Sequence, residues 1–151
     1  MRNNKLKIVV DTNIFINGMI FSDKNKDCDD LILKIYDMIE INKIAELVFS
    51  QDTIGELIYV MKNMVKHNID STEKQLEFLH AILDLIYISY TVNTSNTKLK
   101  VECLDPTDNM FLKCAVQSKA NYIISNDIKS GLHKIKDKFK VVTADEFVKL
   151  F

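Results

Sequence analysis

Leu6-Lys7-Ile8-Val9-Val10-Asp11-Thr12-Asn13-Ile14-Phe15 decides the fold. A β-branched apolar run stops at a carboxylate, and an apolar helical pattern follows at once. A short run of this kind fits a strand covered on both faces, which in turn implies a parallel sheet. Working outward, three more runs end in the same manner. Glu46-Leu47-Val48-Phe49 meets Ser50, Tyr122-Ile123-Ile124-Ser125 meets Asn126-Asp127, and Phe139-Lys140-Val141-Val142 meets Thr143. Amphipathic stretches separate them. Leu31, Ile32, Ile35, Tyr36 and Ile39 keep an i, i+4 rhythm after Asp29 or Asp30 as cap, and residues 53–65 carry Ile54, Leu57, Ile58, Met61 and Val65 at helical spacing. Ser71 or Thr72 caps a third helix, and Pro106 opens a fourth over 107–118 with Asp105 at its cap. This alternation predicts an α/β fold, a three-layer α/β/α sandwich with a central parallel sheet, formed as one domain over residues 1–151.

Composition narrows the function classes. The 151 residues are 47% hydrophobic and 27% charged, with a net charge of -1, which excludes a disordered chain and a strongly basic nucleic-acid binder. Arg2 is the lone arginine, so bidentate phosphate clamps are scarce. No apolar run approaches the roughly 18 residues of a membrane span, and Asp11 cuts the N-terminal run far short of a signal-peptide core; a cytoplasmic protein is expected. Cys28, Cys103 and Cys114 are odd in number and lack C-x-x-C spacing, so they read as buried free thiols. His67, His80 and His133 have no helical ligand partner.

In an open parallel sheet, ligands sit beyond the carboxyl ends of the strands. Four acids fall there. Asp11 follows the first strand, Asp127 the third, Glu56 lies early in the helix after the second, and Asp108 follows the Asp105-Pro106-Thr107 corner. None has a neighbouring Lys or Arg in sequence to neutralise it. Clustered carboxylates repel, so either some hold protons or a cation sits among them. Oxygen-only ligands suit Mg²⁺ or Mn²⁺ and, with a metal-activated water, phosphodiester hydrolysis. Each acid also has a structural alternative. Glu56 completes a Thr53-x-x-Glu56 capping box, Asp108 complements a helix dipole, and Asp127 starts a turn or caps a short helix.

These segments resemble the PIN domains. Ile8-Val9-Val10-Asp11-Thr12-Asn13-Ile14-Phe15 is similar to the family's strand-Asp-Thr/Ser-Asn signature, and Ser50 to Leu57 to the segment carrying its helical glutamate. Asp105 to Leu112, with Ala115, is similar to the third motif, Ala120 to Asp127 to the fourth, and Lys140 to Phe147 to the closing strand and helix. The likeness is greatest to stand-alone prokaryotic members regarded as toxins of toxin–antitoxin pairs. It implies a Mg²⁺- or Mn²⁺-dependent endoribonuclease, often a homodimer. Asp11, Glu56, Asp108 and Asp127 would be the catalytic and metal-holding acids. Asn13 and Ser125 would orient them, and Asp105 would help through water. Two departures stand out. Lys129 occupies a position where a second acid is usual, which leaves a second metal weakly held, and Asn126 replaces a small residue and would narrow the pocket mouth.

Two other functions compete with the RNA-cleaving one. A haloacid-dehalogenase-like phosphatase would also place Asp11 after a strand, but it wants an acid where Asn13 stands. A non-catalytic binding or scaffold protein of the same fold would be free to lose its acids, and all four are present. Expected partners are an RNA substrate, an antitoxin protein lying in a groove beside the acids, and a second copy of the chain meeting the helix faces near 31–39 or 76–86. Setting the four acids aside, bases outnumber acids, and Lys129, Lys134, Lys136, Lys138 and Lys140 form a strip expected to flank the pocket and hold phosphate.

Overall fold

The computed structural model describes residues 4–151. Five parallel strands form one sheet in the order β3-β2-β1-β4-β5. They are β1 (Leu6–Val10), β2 (Ala45–Ser50), β3 (Tyr90–Val92), β4 (Tyr122–Ile124) and β5 (Lys140–Val142). Six α-helices alternate with them: α1 (Thr12–Met19), α2 (Lys26–Tyr36), α3 (Gln51–Asn68), α4 (Thr72–Ile88), α5 (Asn109–Ser118) and α6 (Ala144–Leu150). The central parallel sheet flanked by helices is the three-layer α/β/α sandwich expected. No helix among the described residues is long and apolar enough to cross a membrane.

Side-chain alternation in β1 sends Ile8 and Val10 to one core and Val9 to the other, as period-2 geometry requires. The larger core joins Ile8, Val10, Leu47, Phe49, Ile124 and Val142 to helices α1–α4 and α6. The smaller core packs Val9, Val48 and Ile123 under Phe111, Leu112 and Ala115 of α5. Burial explains the cysteines too. All three thiols are free and buried, and their surroundings push Cys28 and Cys103 up to about 11 and Cys114 up to about 12, so they stay protonated and inert.

Three local expectations are corrected. Helix α2 starts at Lys26, not after Asp29 or Asp30; its cap, Asn25, makes no side-chain capping bond, so the usual signal is missing. Between β4 and β5 the backbone makes only a 3-10 turn over Leu132–Lys134 rather than a helix. The helix after residue 53 starts at Gln51, and its capping box joins Ser50 with Thr53 rather than Thr53 with Glu56. Ser71 and Asp105 cap as expected.

Close packing of α1 on α2 rests on Gly18. A Cβ there would lie 2.5 Å from Ile32 Cδ1 and 2.9 Å from both the carbonyl carbon and oxygen of Cys28. Backbone cannot yield as a side-chain tip can, so Gly18→Ala is expected to destabilise the protein by about 1–3 kcal/mol, visible as a lower urea midpoint.

Candidate active site

The strand order reverses between β1 and β4: from β1 the chain winds to β2 and β3 on one side and to β4 and β5 on the other. The crevice beyond their carboxyl ends is the switch point where open α/β sheets bind ligands. Asp11 follows β1 there, with its main-chain N–H donating to Ile124 O at 2.9 Å. Asp11 is only 4% exposed. Oδ1 accepts from the Asn13 N–H at the start of α1 (3.3 Å), and Oδ2 accepts from the Ser125 hydroxyl (2.8 Å). Ser125 Oγ in turn accepts from the Asp127 N–H at 3.1 Å, so one buried hydroxyl fixes the two strand-end acids relative to each other. The His133 ring meets the Ser125 carbonyl at 2.6 Å and anchors the same segment from behind.

The other acids converge from the helices. Glu56 is half-buried on α3, where the nearby Thr12 side chain favours its charged form. Since Ser50 and Thr53 complete the cap by themselves, Glu56 is left free to face the crevice. Asp108 is half-buried where the 3-10 turn Pro106–Asp108 leads into α5; it makes no capping bond, and the nearby Ser130 side chain favours its charged form. Asp127 does serve a turn, because its Oδ1 accepts from the N–H groups of Lys129 (3.0 Å) and Ser130 (3.3 Å). Asp105 stays at the exposed rim, capping Thr107 through its N–H (3.0 Å) and hydroxyl (2.7 Å); these bonds hold its carboxyl below the usual range.

The electrostatics distinguish this crevice from an ordinary set of helix caps. Burial pushes the Asp11 carboxyl up, and the charge of Asp127 adds to the rise against the opposing bonds from Ser125 and Asn13. Glu56 is raised by burial and then by Asp11 and Asp105, against the opposing influence of the Thr12 side chain. Asp108 is pushed up to about 6, by burial first, then by Asp11 and Asp105. Among the described residues the side-chain ion pairs are Lys26–Asp30 and Lys149–Asp145, and neither touches the crevice. A group of carboxylates that raise one another, with none ion-paired to a base among the described residues, calls for protons or a cation.

The donor set is oxygen throughout, which suits a hard divalent ion. Among the described residues, no three His, Cys, Asp or Glu side chains stand close enough to encage one ion.

The residues expected around the acids fare differently. Ser125 bonds Asp11 through its side chain, whereas Asn13 reaches it through its main chain while its own side chain is exposed. Asn126 does not narrow the pocket mouth. It turns toward α2 and α6, donating to Asp27 (2.9 Å) and accepting from the Ala144 N–H (2.9 Å). The lysine strip does not flank the crevice as a unit: Lys129 adjoins Asp127, whereas Lys140 lies at the opposite end of the sheet, paired with Tyr122. Lys138 joins Lys98, Lys100 and Lys119 around a separate cavity at that far end. Thr12 and Ser130, whose side chains favour the charged forms of Glu56 and Asp108, carry no charge themselves, and the sequence offers little to single them out beyond Thr12 directly following Asp11.

Comparison with known proteins identifies the family and agrees with the fold. The chain is 28% identical over 162 residues to an uncharacterised protein of Methanocaldococcus jannaschii, covering 100% of this chain and 95% of that one. It is similar in fold, with a TM-score of 0.56 and 16% identity, to a chain in the crystal structure of VapBC2 from Rickettsia felis bound to a DNA fragment from their promoter, over 91% of this chain and 98% of that one. A PIN domain family model matches residues 7–129, a span that contains Asp11, Glu56, Asp108 and Asp127. On that match, the chain belongs to the PIN domain family.

Proposed function

We propose that residues 1–151 form a single catalytic unit, a Mg²⁺- or Mn²⁺-dependent endoribonuclease that acts as the toxin of a toxin–antitoxin pair. The observation that carries this reading is the crevice at the β1–β4 switch point, where buried and half-buried carboxylates raise one another and, among the described residues, none is ion-paired with a base. Asp11 and Asp108 would be the main ligands of the ion. When bound, such an ion lowers the pKa of a coordinated water and offsets charge on the phosphate and leaving oxygen. The chain's own residues do the positioning. Ser125 holds Asp11 in one rotamer, and Thr12 holds Glu56, the candidate ligand of a second site or base. Asp127 has one oxygen committed to its turn and keeps Oδ2 for an incoming water. Lys129 beside Asp127 leaves a second ion weakly held.

Ser125→Ala removes the hydroxyl that connects Asp11 with Asp127 without touching the acids. Groups that orient metal ligands are typically worth about 10–100-fold in metal affinity or activity. Ser125→Ala is therefore expected to shift the Mn²⁺ titration of RNA cleavage to higher concentration by about that factor. Cleavage of single-stranded RNA that is unaffected by EDTA in the wild type would refute the proposed function.

The fold likeness to a VapBC2 chain supports a protein partner. The α4 face carrying exposed Leu76 and Leu83 is the better candidate for a homodimer contact, because Leu31 and Ile35 of α2 are buried within the protomer's own core. The cytoplasm is the compartment where such a nuclease would meet its RNA.

A further inference from the structure

A second feature adjoins the acids. A cleft of about 690 Å³ runs between α3 and α5, and Glu56 forms part of its wall. On the α3 side, Asp52, Gly55, Glu56 and Tyr59 share one face by their i, i+3, i+4 and i+7 spacing; Asn109 and Lys113 do the same on α5. Tyr59 is 69% exposed. Lys113 is half-buried, and among the described residues its ammonium forms no ion pair.

Gly55 provides independent support. It lies inside an 18-residue helix, where glycine costs about 1 kcal/mol relative to alanine. A Cβ there would meet nothing within 4 Å, so no neighbouring element requires its absence. Its missing side chain leaves open space along the wall of the cleft. Several other polar groups of the cleft are already engaged. Gln51 exchanges two bonds with Thr94, Asn109 Oδ1 accepts from the Cys103 N–H, and Thr107 bonds Asp105. What remains to meet a ligand is a ring face, an ammonium and a smooth glycine wall, with Asp52 at one lip.

We propose that this cleft is a nucleotide subsite for single-stranded RNA: a base stacks on Tyr59 over Gly55, and Lys113 holds a backbone phosphate, placing the next phosphodiester at the acids. This rests on the nuclease reading of the acidic crevice and extends it along the strand. Stacking accepts any base, and few base-edge donors or acceptors are free here, so the subsite selects strandedness more than sequence. An ammonium near the phosphate also offsets repulsion from Asp52 and Glu56.

The test uses the full chain carrying Asp11→Asn, which removes cleavage, and measures binding of a labelled eight-nucleotide single-stranded RNA in Mn²⁺. Tyr59→Ala is expected to weaken binding about tenfold, on the scale of base–aromatic stacking, and Tyr59→Phe to restore it. Gly55→Leu is expected to weaken binding similarly without lowering Tm. Lys113→Gln should reduce the slope of log affinity against log salt by about one phosphate contact. Tyr36→Ala, at an exposed tyrosine on α2 away from the cleft, serves as the control. In the cleavage-competent chain the same cleft variants should raise KM more than they lower kcat. Wild-type RNA affinity in Tyr59→Ala and Gly55→Leu together would overturn the subsite. So would loss of a bound partner peptide, but not of RNA, in those variants. A chain that binds RNA through Tyr59 yet cuts nothing would remove the nuclease reading and leave the binding cleft standing.

Discussion

Asp11→Asn and Asp108→Asn are each expected to reduce RNA cleavage roughly a thousandfold, the upper range for loss of one preorganised electrostatic group. The protein should remain folded. Asparagine matches aspartate in size, and its amide oxygen can still accept from the Ser125 hydroxyl or the Asn13 N–H that now bond Asp11. What disappears is charge. Burial and neighbouring carboxylates already oppose that charge at both positions, so its removal should spare or raise the stability of the metal-free protein. Cleavage and stability are thus expected to move in opposite directions, which a simple folding defect would not produce. Steady-state rates in Mn²⁺ beside thermal melts in EDTA read both quantities. Cleavage near the wild-type rate in either variant would show that the acid is not part of the site.

The second large effect is a pH-dependent stabilisation by metal. Native Asp11, Glu56 and Asp108 hold their protons more tightly than ordinary carboxyls, and Asp108 titrates near about 6 instead of 3.8. Between those two values the native state binds more protons than the unfolded chain, so stability falls as pH rises through that window. These groups therefore weaken the metal-free protein most above pH 6. A divalent ion reverses the penalty. At a hundred times its Kd it adds about 2.7 kcal/mol, which for a chain of this size raises Tm by about 5–10 °C. The gain should be full near pH 7.5 and shrink towards pH 4, where protons compete for the same oxygens. Asp108→Asn should lose most of it. Differential scanning calorimetry with Mn²⁺ or EDTA at several pH values checks the sign. An equal gain at pH 4.5 and 7.5, or an undiminished gain in Asp108→Asn, would contradict it.

Much of this was legible in the sequence because the fold announces itself through strand ends. Ile8-Val9-Val10 breaking at Asp11, and Ile123-Ile124 followed by Asp127, define adjacent central strands and the crevice between them. β3 was much harder to see. Tyr90-Thr91-Val92 is three residues long and partly exposed, so it lacks the apolar run that marks a buried strand. The start of α2 was hidden because Asn25 caps without using its side chain. Glu56 shows the limit of spacing arguments. Thr53-x-x-Glu56 and Ser50-x-x-Thr53 both satisfy a box pattern, and only tertiary structure reveals that the upstream pair takes the cap and leaves the glutamate free. Hydroxyl partners such as Thr12 and Ser130, and the pairing of Gly55 with Tyr59 along a cleft, depend on elements distant in sequence. The lysine strip misled because β5 carries Lys140 to the far end of the sheet from Lys129.

The central claim is that carboxylate-held metal and water, rather than the RNA's own 2′-hydroxyl, break the phosphodiester. The ends of the products decide between them. Attack by water leaves a 5′-phosphate and a 3′-hydroxyl, whereas attack by the 2′-hydroxyl leaves a 2′,3′-cyclic phosphate and a 5′-hydroxyl. Incubation of the full chain with single-stranded RNA in Mn²⁺, followed by mass analysis of the fragments, is expected to yield 5′-phosphate and 3′-hydroxyl ends, with no fragments in EDTA or with Asp11→Asn. Cyclic phosphate ends, or cleavage that persists in EDTA, would contradict the account.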